Sequence, residues 1–246
     1  MNFPAAEKAI PNESAPEAEK SERGKSLRTR TSDVLARLRS DILKGSFMPG
    51  QRLHLDELSE IYKAGYSPLR EALSRLAADE LVVLAEYKGY RVAPISRKDW
   101  LDILMMRCEL ESLGLQLSMA KGDESWLASV RKSFDEMMLE EPPGRDNVLN
   151  PNWERCHRAF HRSLLSACDS PWLMRISDML VEQSSRYLSL SMLTPAWTDR
   201  RKHKDEHAAL MEAISEGDAT LATALLRSHL KRTSKMLMME LEQDQA

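Results

Sequence analysis

The chain has 246 residues, 42% of them hydrophobic and 30% charged, with a formal net charge of −3. No apolar run reaches the roughly 18 residues that a membrane-spanning helix needs, and the acidic N-terminus lacks the apolar core of a secretory signal. Cys108, Cys156 and Cys168 are odd in number and lack CxxC spacing, which speaks against a disulfide framework and for a reducing cytoplasm. The charge is uneven: residues 1–22 carry two Lys/Arg against five Asp/Glu, residues 23–94 carry 13 against 9, and residues 95–246 carry 20 against 24.

In chain order, residues 1–26 are rich in Pro, Glu, Ala and Ser and read as a disordered tail. Leu35, Leu38, Ile42 and Leu43 predict a helix over about residues 31–45, ended by Gly45 and the turn Met48-Pro49-Gly50. Leu55, Leu58, Ile61 and Tyr62 mark a second helix. Ser67-Pro68 opens a third, the hydroxyl as cap and proline at the first helical position, with Leu69, Ala72, Leu73 and Leu76 on its apolar face. Leu81–Leu84 and Tyr90–Val92 are β-rich runs flanking Glu86-Tyr87-Lys88-Gly89, a hairpin. Three short amphipathic helices followed by two strands make a winged helix-turn-helix, over 27–94.

Such a unit reads DNA through the N-terminal end of its third helix. Tyr66, Ser67 and Arg70 occupy that end, and Arg70 suits a guanine edge or a phosphate. Lys88 and Gly89 sit at the wing tip, and Arg39, Lys44 and Arg52 suit backbone phosphates. An intradomain salt bridge is the alternative for Arg70.

From residue 95 to 246 the chain reads as helical. Apolar periodicity spans roughly 97–120, 123–140, 151–168, 171–193, 197–216 and 218–240. The breaks fall at Gly122, Pro142-Pro143-Gly144, Asp169-Ser170-Pro171, Thr194-Pro195 and Gly217-Asp218. The expected architecture is mainly α: a winged helix-turn-helix with a small β-hairpin wing, then an antiparallel helical bundle. Of six histidines, five lie in this bundle. His157 and His161, and again His203 and His207, are four apart and share a helix face. Converging imidazoles hold Zn, Ni or a related divalent ion.

Met48-Pro49-Gly50-Gln51-Arg52-Leu53, Ser67-Pro68-Leu69-Arg70-Glu71-Ala72-Leu73 and Gly89-Tyr90-Arg91-Val92 resemble the DNA-binding domain of the GntR family. Gly65-Tyr66-Ser67 departs from the family's Ser-Arg-Thr, placing a tyrosine where an arginine commonly reads DNA. Arg107–Glu111, His157–His161, Glu206-His207 and Arg227-Ser228-His229-Leu230 resemble the FCD domain of the FadR/FCD subfamily. SPLREAL together with GYRVAP is similar to glutarate-responsive repressors.

That resemblance implies metal ligands at His157, His161, His207 and His229, with His157 replacing the usual Asp or Asn and zinc the default ion. It leaves His203 at the surface. It implies a small organic (di)carboxylic acid as effector, held by the metal and Arg107, with Arg155, Ser184 and Tyr187 as further pocket candidates. Pairing of Arg107 with Glu111 is the alternative. It also implies a cytoplasmic, homodimeric repressor of double-stranded operator DNA, not an enzyme and not at a membrane. A metal-dependent hydrolase built on the histidines is the competing class.

Overall fold

The structure, a computed structural model, describes residues 31–85, 89–142, 150–191 and 200–241. The expected tail over 1–26, the hairpin tip including Lys88, and Thr194-Pro195 lie outside the described residues. In chain order come α1 (31–43), β1 (Arg52–Leu53), α2 (Leu55–Tyr62), α3 (Tyr66–Ala78), β2 (Val82–Ala85) and β3 (Gly89–Val92). Six longer helices follow: α4 (Arg97–Lys121), α5 (Glu124–Leu139), α6 (Pro151–Leu164), α7 (Pro171–Ser191), α8 (Arg200–Ser215) and α9 (Ala219–Leu241). The described residues divide into two compact units, one of 31–39 with 52–90 and one of 40–51 with 91 onward.

In the first unit α3 packs on α2 and β2, burying Leu69, Ala72, Leu73 and Leu76 at helical spacing. Two expectations change here. Ser67 does not cap α3: Gly65 stands at the N-cap, and Tyr66 and Ser67 are already helical. Pro68 is tolerated because first-turn N–H groups have no intrahelical acceptor. Ile61, expected on the apolar face of α2, is exposed, and Leu58 and Tyr62 are the buried pair.

The sheet has three strands, not two, in the order β1-β3-β2. The extra strand is only two residues long, too short to show alternation. Its register is set beside it, where the Gly50 N–H donates to the Val92 carbonyl at 3.0 Å and the Val92 N–H donates to the Gln51 carbonyl at 2.9 Å.

In the second unit α4 packs against α6, α7 and α9, α5 against α6 and α8, and α8 against α9. Polar caps set the starts. Ser96 Oγ accepts from the Asp99 N–H on α4, and Asp123 Oδ1 from the Trp126 N–H on α5. Asn150 accepts from the Asn152 and Trp153 N–H groups, with Pro151 opening α6. Asp218 Oδ1 accepts from the Leu221 N–H at 2.8 Å on α9. Helix α6 ends at Leu164, short of the expected 168. Leu165 and Cys168 stay buried in the following turn, so the apolar spacing outlasts the helix. No helix among the described residues is long and apolar enough to cross a membrane.

Candidate functional site

The residues expected to read DNA lie at the start of α3. Tyr66, Ser67 and Arg70 are all exposed there. Arg70 makes no ion pair among the described residues: its neighbour Glu71 is taken by Arg75 at 2.6 Å and by the Thr31 hydroxyl at 3.4 Å. The salt-bridge alternative for Arg70 therefore finds no partner among them. Tyr66 donates its hydroxyl to Asp56 on α2, and that bond and charge raise its pKa. Arg39 pairs with Asp79, so its guanidinium is not a freely presented cation. Arg52 and Lys44 are exposed. Gly89 opens β3 with φ +75, a conformation that suits glycine.

Helices α6, α8 and α9 bring His157, His161, His207 and His229 together, with one ring nitrogen of each within 4.8 Å of the others. The i, i+4 spacing puts His157 and His161 on one face of α6. His207 Nε2 lies 3.1 Å from His157 Nε2 and 3.3 Å from His161 Nε2. Four zinc–nitrogen bonds of about 2.0–2.1 Å in a tetrahedron place their nitrogens about 3.3–3.4 Å apart, so these spacings fit a zinc-sized ion.

Protonation fits as well. His207 Nδ1 is 2.7 Å from the His203 carbonyl, which only accepts, so the proton sits on Nδ1 and Nε2 presents a lone pair. His229 Nδ1 donates to Glu206 at 2.9 Å, leaving its Nε2 for the cluster. His207 and His229 are pushed down to about 3, first by burial and then by neighbouring positive groups, chiefly His229 for the former and His203 for the latter. His157 and His161 are held well below the usual range by burial and by the surrounding imidazoles. Neutral rings are what a metal requires. Lone pairs facing one another at these distances repel unless a cation or a shared proton lies between them.

Around the rings, Trp153 stacks on His157 with centroids 4.6 Å apart. Glu206 also accepts from Arg232, so the chain Arg232–Glu206–His229 orients the His229 ring, an arrangement of the kind that supports metal-bound histidines. His203 is corrected from the surface to the rim: half-buried, it sets its ring edge against Trp153 at 6.3 Å and its carbonyl on His207. Residue spacing shows neither role, because Glu206 meets His229 across a helix hairpin and His203 acts through its backbone.

Arg107 is buried and its Nε donates to Glu111 Oε1 at 2.6 Å, the pairing held open above. Its charge also helps depress His161 and His229. The other pocket candidates are engaged differently. Ser184 Oγ donates to the Leu180 carbonyl on its own helix. Tyr187 donates to Asp99, accepts from the Ser96 N–H, and sets its ring at a tilt against Trp100. Arg155 is exposed. None of these hydrogen bonds leads to the imidazoles.

Residues 30–92 match the bacterial regulatory proteins of the gntR family, and residues 102–232 match the FCD domain. The HTH-type transcriptional repressor GlaR of Escherichia coli (strain K12) is 34% identical over 203 residues, covering 78% of this chain and 89% of that protein. BphR of Paraburkholderia xenovorans (strain LB400), described as an uncharacterized HTH-type transcriptional regulator, is 37% identical over 199 residues, 79% of this chain and 80% of that one. The fold is shared with E. coli McbR/YncC, at a TM-score of 0.72 and 19% identity, over 86% of this chain and 98% of that one. These are regulators, and nothing among them supports the hydrolase alternative.

Proposed function

The chain belongs to the gntR family of bacterial regulatory proteins, with an FCD domain as its helical part, and from that we propose that it is a metabolite-responsive repressor. It is a DNA-binding transcriptional regulator rather than an enzyme. The finer reading is that a small dicarboxylic acid, bound beside a divalent metal in the bundle, releases it from operator DNA. The observation that carries this is the four-imidazole cluster, with Arg107 buried on α4, which packs against the α6 and α9 that bear three of the rings.

His157, His161, His207 and His229 would hold the ion, zinc by the spacing and the all-nitrogen donor set. The ion would supply fixed positive charge against an effector carboxylate. Arg107 takes the second carboxylate: its planar fork exchanges Glu111 for the ligand, which offsets desolvation of the anion. Ser184, Tyr187 and Arg155 are secondary pocket residues. The protein acts in the cytoplasm as a homodimer, with domains over 27–94 and 95–246 behind a tail over 1–26. Its paired readers meet a pseudo-palindrome through Tyr66, Ser67, Arg70 and Gly89, with Arg52 and Lys88 on the phosphates and Arg39 joining them only by exchanging Asp79 for a phosphate. The acid shifts DNA occupancy only by binding one arrangement of the readers better than the other.

The test is operator binding by fluorescence anisotropy, on promoter DNA flanking its own gene, with zinc and a panel of malonate, succinate, glutarate and adipate at fixed salt. Release by one acid is expected. Tighter binding with the acid would invert the sign of the coupling and end the reading of release by the metabolite. Specific binding indifferent to every acid and to zinc would end the effector reading.

A further inference from the structure

Arg186 on α7 is only 5% exposed, and burial lowers its basicity. A guanidinium is rarely held so deep unless its donors are matched. Here they are matched mainly by main chain. One terminal nitrogen donates to the carbonyls of both Ala93 and Pro94, the latter at 3.1 Å, and the other donates to Gln183 Oε1 at 3.0 Å. Ala93 and Pro94 follow β3 directly.

Its neighbours on α7 point elsewhere, as successive helical residues must. Ser185 Oγ accepts from Arg158 at 2.7 Å, and Arg158 follows His157 on α6. Tyr187 holds Asp99 and the Ser96 N–H, and its ring lies 5.1 Å from Trp100, whose indole N–H donates to Ser234 on α9 at 2.7 Å. Three consecutive residues thus tie one helix to the metal-facing α6 on one side and to residues 93–99 on others.

We infer that Arg186 is a positioning residue that carries occupancy of the histidine cluster, through Arg158 and Ser185, to the segment leaving β3. The inference rests on the metal reading above. A rigid helix moves as a unit, so a shift of α6 as its rings close on an ion reaches Arg186 through the Arg158–Ser185 bond. A guanidinium with one nitrogen on two successive carbonyls and the other held by Gln183 passes that shift to the backbone where a bond to one carbonyl would let it slip.

The test uses the full chain and Zn2+ alone as probe, reading amide hydrogen exchange over 91–96 beside zinc content. In the wild type, zinc should change exchange there by about fivefold or more. Arg186→Gln should bind the same zinc and lose that change, and Arg186→Lys should recover part of it. Ser185→Ala, which leaves the Arg186 bonds in place, should blunt it. Should Arg186→Gln not fold, Ser185→Ala decides: a blunted response supports the role and an unchanged one overturns it. A wild-type response in Arg186→Gln, or zinc uptake by the wild type without any change over 91–96, overturns the inference alone. A wild type that takes up no zinc overturns the metal reading, and this inference with it.

Discussion

His207 is buried, hydrogen-bonded through Nδ1 to a carbonyl, and 3.1–3.3 Å from two other rings, so it stays neutral where a free histidine would begin to charge. His229 behaves alike, and both are pushed down to about 3. In an unfolded chain these rings titrate near pH 6.5. The folded pKa is the depressed one, so the unfolded state takes up protons first as pH falls. Stability of the metal-free protein is full above about pH 6.5 and drops towards pH 3, by up to roughly 1.4 kcal/mol per unit for each ring. Thermal melts at about pH 7.5 and pH 5 should separate, and zinc should be lost over the same window because the ligating rings must be neutral. Equal melting temperatures at the two values would mean that the rings are not buried neutral. Arg70 is the residue-scale test at the other end of the molecule. Arg70→Ala should cost about 1–3 kcal/mol of operator affinity, read by anisotropy, with zinc content unchanged.

At the scale of elements, α4 depends on Gly114. A Cβ there would lie 2.7 Å from Leu165 Cγ and 3.0 Å from Leu173 Cδ2, so the glycine is what lets α4 approach the α6 end and α7. Alanine would gain about 1 kcal/mol of helix propensity. Overpacking at a fully buried crossing costs about 1–3 kcal/mol. Gly114→Ala should therefore be net destabilising, with a lower urea midpoint at unchanged slope. The six bundle helices were legible in the sequence because apolar periodicity runs between marked breaks such as Gly122, Asp169-Ser170-Pro171 and Gly217-Asp218. Strand β1 was not legible, since two residues carry no period and its pairing is with β3, more than thirty residues on. The α3 cap was misplaced because Ser-Pro fits a cap locally, while the tertiary packing of Pro68 and Leu69 starts the helix at Tyr66.

At the scale of the whole molecule, a net charge of −3 coexists with the basic balance of 13 Lys/Arg against 9 Asp/Glu over residues 23–94. Affinity for DNA then comes from phosphate neutralisation by one part of a chain whose remainder is acidic. With several phosphates neutralised per reader, operator affinity should fall at least about a hundredfold between about 50 and 200 mM salt, along a linear log–log plot. A flat plot would remove the phosphate contacts assigned to Arg52 and Lys88.

By itself the sequence determined the mainly helical architecture and the shared helix face of His157 and His161, because helical periodicity and i, i+4 spacing are local properties; the family and the set of four histidines were legible only through motif resemblance. Only the tertiary structure decided that three helices bring one nitrogen of each of the four rings to within 4.8 Å of the others. It alone decided that Glu206 and the His203 carbonyl turn two of the rings and that Arg186 grips residues 93 and 94. These are contacts between positions far apart in the chain or made by backbone atoms, and packing rather than residue order fixes which of them form.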